Sequence, residues 1–253
     1  MRTLAALVVV IAGAACGGQT PTPITPAGGT QPVLAAPRST PPPVIAFADG
    51  GFALQGLPAI AAAGEVVVVA IQDPSPGAAN LRVEIRGADD HVVKSVVVVT
   101  RAEVPTLVTN RAASPALAAR IAALNAELVT LHGVHDLRVM RPLAVEPGHG
   151  GEDQHWATGD NLDVEWREHH LRVFRHNSTQ ALLEHDGASW AAPPTPACVG
   201  RNEAFLGAAY HAEPGTVQAA AGNTVVVDIA YRGDDTCEAP GPRPHVLSWV
   251  GAR

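Results

Sequence analysis

Short runs of valine are the main pattern along this chain, and they predict β-strands. Such runs occupy 66–71, 92–99 and 225–230, each close to glycine, aspartate or proline. β-branched residues favour strands, and turn-forming residues commonly bound them. Val66–Val69 and Val96–Val99 do not alternate with polar residues. We therefore expect both faces of these strands to be covered, as in the inner strands of a layered sheet.

The segment between the first two runs predicts that they belong to one meander. Leu81, Val83 and Ile85 alternate with polar residues, and a Gly-Ala-Asp-Asp turn follows at 87–90. A period of two is typical of a strand with one face on the core. We expect three consecutive antiparallel strands between residues 66 and 99.

The first and last valine runs belong to two similar segments. Residues 61–71 (AAAGEVVVVAI) and 219–229 (AAAGNTVVVDI) agree at eight of eleven positions. Gly64 or Gly222 precedes the strand in each, and glycine permits the positive φ that a tight hairpin needs. The similarity predicts paired hairpins. Chance similarity is the alternative, because alanine and valine are common throughout the chain.

One amphipathic helix is predicted from Pro115 to about residue 132. Ser114 suits the N-cap, proline suits the first helical position, and Gly133 suits the C-terminal end. Apolar residues spaced by three and four form a stripe that we expect to pack on a sheet, a partner-binding surface being the alternative. The stripe consists of Leu117, Ile121, Leu124, Leu128 and Leu131.

The C-terminal half predicts an irregular segment followed by short strands. Residues 133–160 lack a clear period, whereas 162–166, 171–175 and 181–185 are strand candidates, and a proline-rich loop leads to a last strand within 239–250. Runs of strands around one long helix indicate an α+β fold that is predominantly antiparallel β. We expect a layered sheet or a sandwich of hairpins with the helix packed on it.

Composition and charge exclude several classes of function. The chain is 47% hydrophobic but only 4% aromatic, so valine, alanine and leucine must fill the core. Its formal charge of −7 argues against a nucleic-acid partner, which would require basic patches. It contains no GxSxG, P-loop, GxGxxG or HExxH motif. We therefore expect a non-catalytic protein without a cofactor.

The first 43 residues predict export and membrane attachment. Leu4–Ala12 is an apolar run of nine residues, within the range of a signal peptide and far below the ~20 that span a bilayer. Three small residues then precede Cys16, and a segment rich in proline and glycine follows. This N-terminal segment resembles the lipobox of bacterial lipoproteins, in which the cysteine is acylated and becomes the mature N-terminus.

The resemblance implies lipidation of Cys16 and a chain in three parts. Residues 1–15 are then a signal peptide, 16–43 a lipid-anchored tether, and 44–253 a single β-rich domain. The protein is expected in a bacterial cell envelope, anchored in the outer membrane on its periplasmic or surface face. Cleavage without lipidation would make it a secreted protein. Besides the membrane lipid, an envelope protein or a glycan is the expected partner.

Two further cysteines, Cys198 and Cys237, remain as a pair once Cys16 carries lipid. We predict a disulfide between them because an exported protein folds in an oxidising compartment. Closing a loop of about 40 residues would stabilise the fold by ~4 kcal/mol in the chain-entropy model. Zinc binding is the weaker alternative, because it needs further ligands at close spacing.

Histidines supply the alternative function. The chain has 11, and the region from His149 to His176 is rich in them and in carboxylates. Imidazole and carboxylate suit zinc, nickel or copper, so a secreted metal-binding protein or metal-dependent hydrolase would use this region. Solvated loop histidines are the simpler interpretation. The candidate ligands are His149, His155, His169 and His170.

Two smaller expectations concern the same region. Alternation in 162–166 predicts that Asp163 and Glu165 face water. Trp156 and Trp190 lie in or beside predicted loops, where an aromatic pair can stack on sugars or peptides. Because aromatic residues are scarce, burial of these tryptophans at the edge of the core is the favoured interpretation.

Overall fold

The fold is described from a computed structural model of the chain. Its described residues are 40–72, 81–100, 102–148, 154–190, 203–213, 215–218, 221–232 and 241–250. The strands among them are β1 (Val44–Ala48), β2 (Gly51–Gln55), β3 (Ala59–Ala61), β4 (Val66–Gln72), β5 (Leu81–Gly87), β6 (Val92–Val99), β7 (Leu137–Pro142), β8 (Ala144–Pro147), β9 (Gln154–Thr158), β10 (Leu162–Arg167), β11 (His170–Arg175), β12 (Ala181–Asp186), β13 (Glu203–Ala212), β14 (Thr224–Arg232) and β15 (Arg243–Ser248). The α-helices are α1 (Val104–Asn110) and α2 (Pro115–His135). Short 3₁₀ turns lie at Gly187–Trp190 and Ala221–Asn223.

An antiparallel sheet of eight strands forms the centre of the fold. Its strand order is β15-β14-β13-β7-β3-β4-β5-β6. Val67 of β4 and Val246 of β15 belong to one apolar cluster, although four other strands lie between β4 and β15 in the sheet. Side chains that far apart on one face can meet only if the sheet curls. This face is therefore concave, and it packs against itself.

The convex face of the curled sheet is covered by different elements on its two halves. Over β3 to β6 lie α2 and the β1–β2 hairpin, which bury a cluster that includes Val68, Leu128 and Ile45. Over β13 to β15 lies a second sheet of order β12-β11-β10-β9-β8, whose Trp166 packs with Leu206. The prediction of an α+β fold with predominantly antiparallel β structure and a helix packed on a sheet is confirmed.

Helix α2 follows its sequence signals closely at one end. The Ser114 hydroxyl accepts a hydrogen bond from the Leu117 amide at 3.2 Å, as an N-cap should. The apolar stripe is buried on the sheet through Leu117, Ile121, Leu124 and Leu128. The predicted end at Gly133 is wrong: the helix continues to His135, and Asp136 adopts the left-handed conformation instead. Aspartate tolerates that conformation, so glycine is not required there.

The valine meander forms as predicted, but its third strand is not an inner strand. β4, β5 and β6 pair consecutively, and Val67 and Val68 of β4 are fully buried. β6 lies at the edge of the sheet, where Val93 and Val97 are 58% and 52% exposed. Only the last residues of β6, Val98 and Val99, are covered. Covering both faces of β6 would require a further layer over its first half.

Residues 133–160 are not irregular, which corrects the prediction for this segment. β7 lies between β13 and β3 in the eight-stranded sheet, and β8 and β9 belong to the five-stranded sheet. The buried residues of β7, Leu137 and Met140, are separated by Arg138 and by the exposed Val139, so apolar and polar residues do not alternate along this strand. Pairing with distant strands therefore makes these residues a strand, and the local sequence does not signal it.

The two similar segments meet but do not form equivalent hairpins. Gly64 has φ of +88° in the β3–β4 hairpin, whereas Gly222 lies in a 3₁₀ turn that leads into β14. A Cβ added at Gly64 would lie 3.0 Å from Ala221, so glycine also permits this close approach. Val67 faces the interior of the curled sheet, but Val225 at the matching position faces the five-stranded sheet. The paired-hairpin prediction holds only for the first segment.

Candidate functional site

The histidines predicted as metal ligands lie on different faces of the five-stranded sheet. His155 pairs with Trp166 across the strands, is buried, and stacks on the Phe205 ring with centroids 5.4 Å apart. His170 pairs with Arg167 and is exposed, so it belongs to the opposite face. His169 is in the exposed turn between β10 and β11, as expected for a hairpin tip.

The described parts of the chain contain no group of three or more His, Cys, Asp or Glu side chains arranged to hold a metal ion. His149 lies outside the described residues, so the metal site stays a prediction. Metal content measured after purification without a chelator tests it directly.

The predicted roles of the cysteines also concern residues beyond the described ranges. Cys16, Cys198 and Cys237 all lie outside them, so lipidation and the disulfide stay predictions. No helix in the described part of the chain is long and apolar enough to cross a membrane.

Two expectations about the five-stranded sheet are corrected or refined. Glu165 does not face open water: it is 6% exposed, and its carboxylate lies 3.4 Å from both Gln154 and Arg172. Long neighbouring side chains cover this face, which alternation alone cannot predict. Trp190 is buried in the core, as favoured, whereas Trp156 is half-buried in β9.

The curled sheet carries charged side chains on its concave face, and we call Glu84, Arg86 and Asp228, together with Asp90 of the β5–β6 turn, the interior polar cluster. Glu84 and Arg86 pair across the strands with Val69 and Val67, which face the interior. Arg86 Nε donates to Glu84 Oε2 at 2.9 Å, and its Nη1 donates to Asp90 Oδ1 at 2.6 Å. The guanidinium thus joins two carboxylates.

Asp90 connects the β5–β6 turn to the distant strand β15. Its Oδ1 accepts a hydrogen bond from the Val246 amide at 2.7 Å, and its Oδ2 lies 2.8 Å from His245 Nδ1. Burial raises the pKa of Asp90, but hydrogen bonds from His245 and Val246 and the charge of Arg86 outweigh it and hold the pKa below its usual value. The ionised Asp90 carboxylate therefore connects the β5–β6 turn to β15, at opposite ends of the strand order.

The imidazole of His245 is also part of an aromatic stack. Its ring lies 4.0 Å from the Trp190 ring, and His185 stacks on the same indole at 4.3 Å. Tyr231 donates a hydrogen bond to the Trp190 carbonyl oxygen at 2.7 Å. These contacts hold β15 against the end of β12 and the 3₁₀ turn that follows it. The stack is best explained as part of the core.

Asp228 is the member of the interior polar cluster whose charge is poorly compensated. It alternates with Val226 on β14 and therefore faces the interior. Burial raises the pKa of Asp228 to about 6, and the charge of Arg86 offsets only part of this effect. Burial, together with the Asp228 charge, also raises the pKa of Tyr210. An ionised Asp228 at neutral pH therefore destabilises the folded state.

A second polar region is an open cleft of about 240 Å³, which we call the polar cleft. It lies where the ends of β10 and β11 meet the turn before β14 and the residue after β15, between the two sheets. Sites at such junctions are common places for ligands. The side chains that matter for its chemistry are Asn161, Leu162, Arg175, His211, Asn223 and Trp249.

The walls of the polar cleft are positioned by backbone contacts. Arg175 pairs with Leu162 across β11 and β10, so both side chains project from the face that packs on the larger sheet. The Trp249 amide donates to the Asn223 carbonyl oxygen at 3.1 Å. The Asn161 carbonyl oxygen accepts from the His176 amide at 3.0 Å. Among the described residues, neither asparagine side chain has a hydrogen-bond partner, and Trp249 lies half-buried against the core beside them.

His211 forms the buried part of the cleft lining. It is 5% exposed on β13, and its Nδ1 lies 3.0 Å from the Ala212 carbonyl oxygen. A carbonyl oxygen only accepts, so Nδ1 carries the proton and Nε2 is an acceptor. Burial lowers the pKa of His211 below its usual value, so the ring is neutral at pH 7.

Arg175 contributes a cation without an internal partner. Many arginines of this acidic protein pair with carboxylates, among them Arg86, Arg120 and Arg172. Within the described ranges, no carboxylate lies within ion-pair distance of Arg175, which is exposed at the cleft. The cleft thus combines an unpaired guanidinium, two amides, an imidazole acceptor and an indole ring.

Sequence reasoning did not identify this site. Its residues come from positions 161 to 249 and form no motif, and for Trp249 the sequence predicts only that it lies within the last strand. Comparisons with protein-family models, curated proteins and solved structures found no match to this chain.

Proposed function

We propose that this protein is a non-catalytic, lipid-anchored protein of a bacterial envelope that binds a small polar ligand of the glycan class in the polar cleft. The observation that carries the proposal is the cleft itself, where Arg175, His211 and Trp249 come together at the junction of two sheets. Hydrogen-bonding groups beside an aromatic ring suit a hydroxylated ring, whose edge is polar and whose faces are partly apolar.

The chemistry of His211 supports binding rather than catalysis. In a catalytic triad, a carboxylate holds the Nδ1 proton and stabilises the imidazolium that forms. Here a backbone carbonyl oxygen takes that place, and burial disfavours the protonated ring. His211 is therefore suited to accept a hydrogen bond from a ligand without exchanging a proton with it.

Attachment to the envelope rests on the sequence of the first 43 residues. Cys16 follows an apolar run and three small residues, and 27 residues separate it from Val44, where β1 begins. Mass spectrometry of the mature N-terminus tests this part. A diacylglyceryl group on Cys16 is expected, and an unmodified N-terminal thiol would contradict anchoring.

Ligand binding is tested with an array of envelope saccharides probed with the purified full chain. We expect the affinity to fall at least ~10-fold in Trp249→Ala. Stacking of a nucleic-acid base on an aromatic side chain is worth about 1–3 kcal/mol, and we expect a sugar ring packed on this indole to gain a comparable free energy. Trp156→Ala, at a half-buried tryptophan in β9 outside the cleft, is the matched control and should retain binding. Absence of saccharide binding by the unaltered chain, or unchanged binding by Trp249→Ala, would refute the proposal.

A further inference from the structure

We infer that the polar cleft selects a sugar that carries a carboxylate, such as a hexuronic acid, and that Arg175 is the residue that sets this preference. The inference rests on the proposed function, because it names the ligand class of the same cleft. Three properties of the lining lead to it: its charge, its balance of donors and acceptors, and its size.

The charge of the lining favours a ligand with one negative charge. None of the eight residues that line the cleft is acidic, and Arg175 has no carboxylate within ion-pair distance in the described structure. The nearby Glu213 carboxylate is engaged by Arg141. Asp160, whose charge reaches His211, is a negative group close to the cleft. With one cation in the lining and an anion nearby, the cleft suits a monoanion better than a doubly charged phosphate.

The balance of hydrogen-bonding groups favours a ligand rich in acceptors. The Arg175 guanidinium has five N–H donors and no acceptor, and each of Asn161 and Asn223 adds two donors and one acceptor oxygen. His211 Nε2 offers an acceptor and therefore prefers a hydroxyl or an N–H of the ligand. Guanidinium binds a planar carboxylate through two parallel hydrogen bonds. A carboxylate and hydroxyl groups on one molecule satisfy both requirements.

The size of the cleft and the indole ring favour a single sugar ring. Drug-sized ligands occupy pockets of ~300–1,000 Å³, and this cleft of about 240 Å³ is slightly smaller. Trp249 supplies a flat apolar surface at its wall, on which the less polar face of a pyranose can pack. A small carboxylate such as acetate would leave this surface uncovered.

The test compares methyl glucuronide, methyl glucoside and acetate by calorimetric titration of the full chain. We expect the glucuronide to bind at least ~10-fold more tightly than either of the others, since charged hydrogen bonds exceed neutral ones in strength. Arg175→Gln retains hydrogen-bond donors without the charge, and it should reduce the preference over the glucoside to less than ~2-fold. Arg167→Gln is the control, because Arg167 is 61% exposed near the hairpin tip and away from the cleft.

The outcomes separate this inference from the proposed function. If glucoside and glucuronide bind equally, or if Arg175→Gln keeps the preference, the inference is wrong while ligand binding in the cleft still holds. If acetate competes as well as the glucuronide, recognition of a sugar ring is refuted. If no saccharide binds here or on the array, the proposed function itself fails.

Discussion

The interior polar cluster and the polar cleft each contain an arginine, yet the two regions differ in how that arginine is paired. In the interior, Arg86 donates to Glu84 and Asp90, and Asp90 also receives hydrogen bonds from β15. In the cleft, Arg175 has no such carboxylate partner within the described ranges. Groups that satisfy one another hold a fold together, whereas groups left open to solvent are available to a ligand. Substitutions in the first region should therefore change stability, and those in the second should change binding.

The largest expected effect is that of Asp90→Ala. Removing this carboxylate leaves Arg86 without one of its two acids and removes the connection to His245 and Val246. Loss of one partner of a buried pair costs ~3–5 kcal/mol, and Asp90 should approach the lower value because it is 27% exposed. Urea denaturation measures the change.

Asp89→Ala provides the matched control for Asp90→Ala. Asp89 precedes it in the same turn and is 74% exposed, and His91 is its ionic partner. For this exposed acid we expect no change in stability that urea denaturation resolves. Equal destabilisation by the two substitutions would mean that the contacts of Asp90 with β15 do not stabilise the curled sheet.

Asp228→Asn should stabilise the protein at pH 8, which is the opposite effect within the same cluster. The folded-state pKa of about 6 lies above the usual value of 3.8, so the cost of ionising Asp228 grows as the pH rises from about 4 to 6 and is complete above pH 6. The penalty is ~3 kcal/mol at most and disappears as the pH falls from 6 toward 4. Denaturation of both proteins at pH 8 and pH 4 measures it. A constant difference between the two pH values would exclude an ionisation effect.

The smallest expected effect on stability belongs to the cleft. Arg175→Gln should change the free energy of unfolding by less than about 0.5 kcal/mol, because its guanidinium has no ion-pair partner to lose among the described residues. Thermal unfolding without ligand measures this change. A loss comparable to that of Asp90→Ala would show that Arg175 serves the fold and would remove the contrast between the two regions.

The features that the sequence predicts correctly are local. Ser114 and the leucine stripe specify α2, and the valine runs with the turn at 87–90 specify the β4–β5–β6 meander. The local sequence does not predict β7, because this segment becomes a strand by pairing with β3 and β13. Both polar regions depend on the same kind of distant pairing.

Curling of the sheet explains why the interior polar cluster could not be predicted. Glu84 and Arg86 occupy the polar positions of an alternating strand, which normally face water. Glu84 and Arg86 are 5% and 8% exposed because the curl of the sheet brings β15 over the concave face. No local sequence pattern predicts that curl. The residues of the cleft are likewise joined only by the meeting of two sheets.

Whether the polar cleft is the ligand site can be tested by an NMR titration with methyl glucuronide that follows the indole N–H signals of the four tryptophans. Trp249 lines the cleft, whereas Trp166 and Trp190 are buried in the core and Trp156 lies in β9. We predict that the Trp249 signal shifts with saturating ligand, that the other three do not, and that Arg175→Gln raises the ligand concentration needed for the shift. A shift confined to another tryptophan, or no shift at all, would contradict the assignment of the cleft as the binding site.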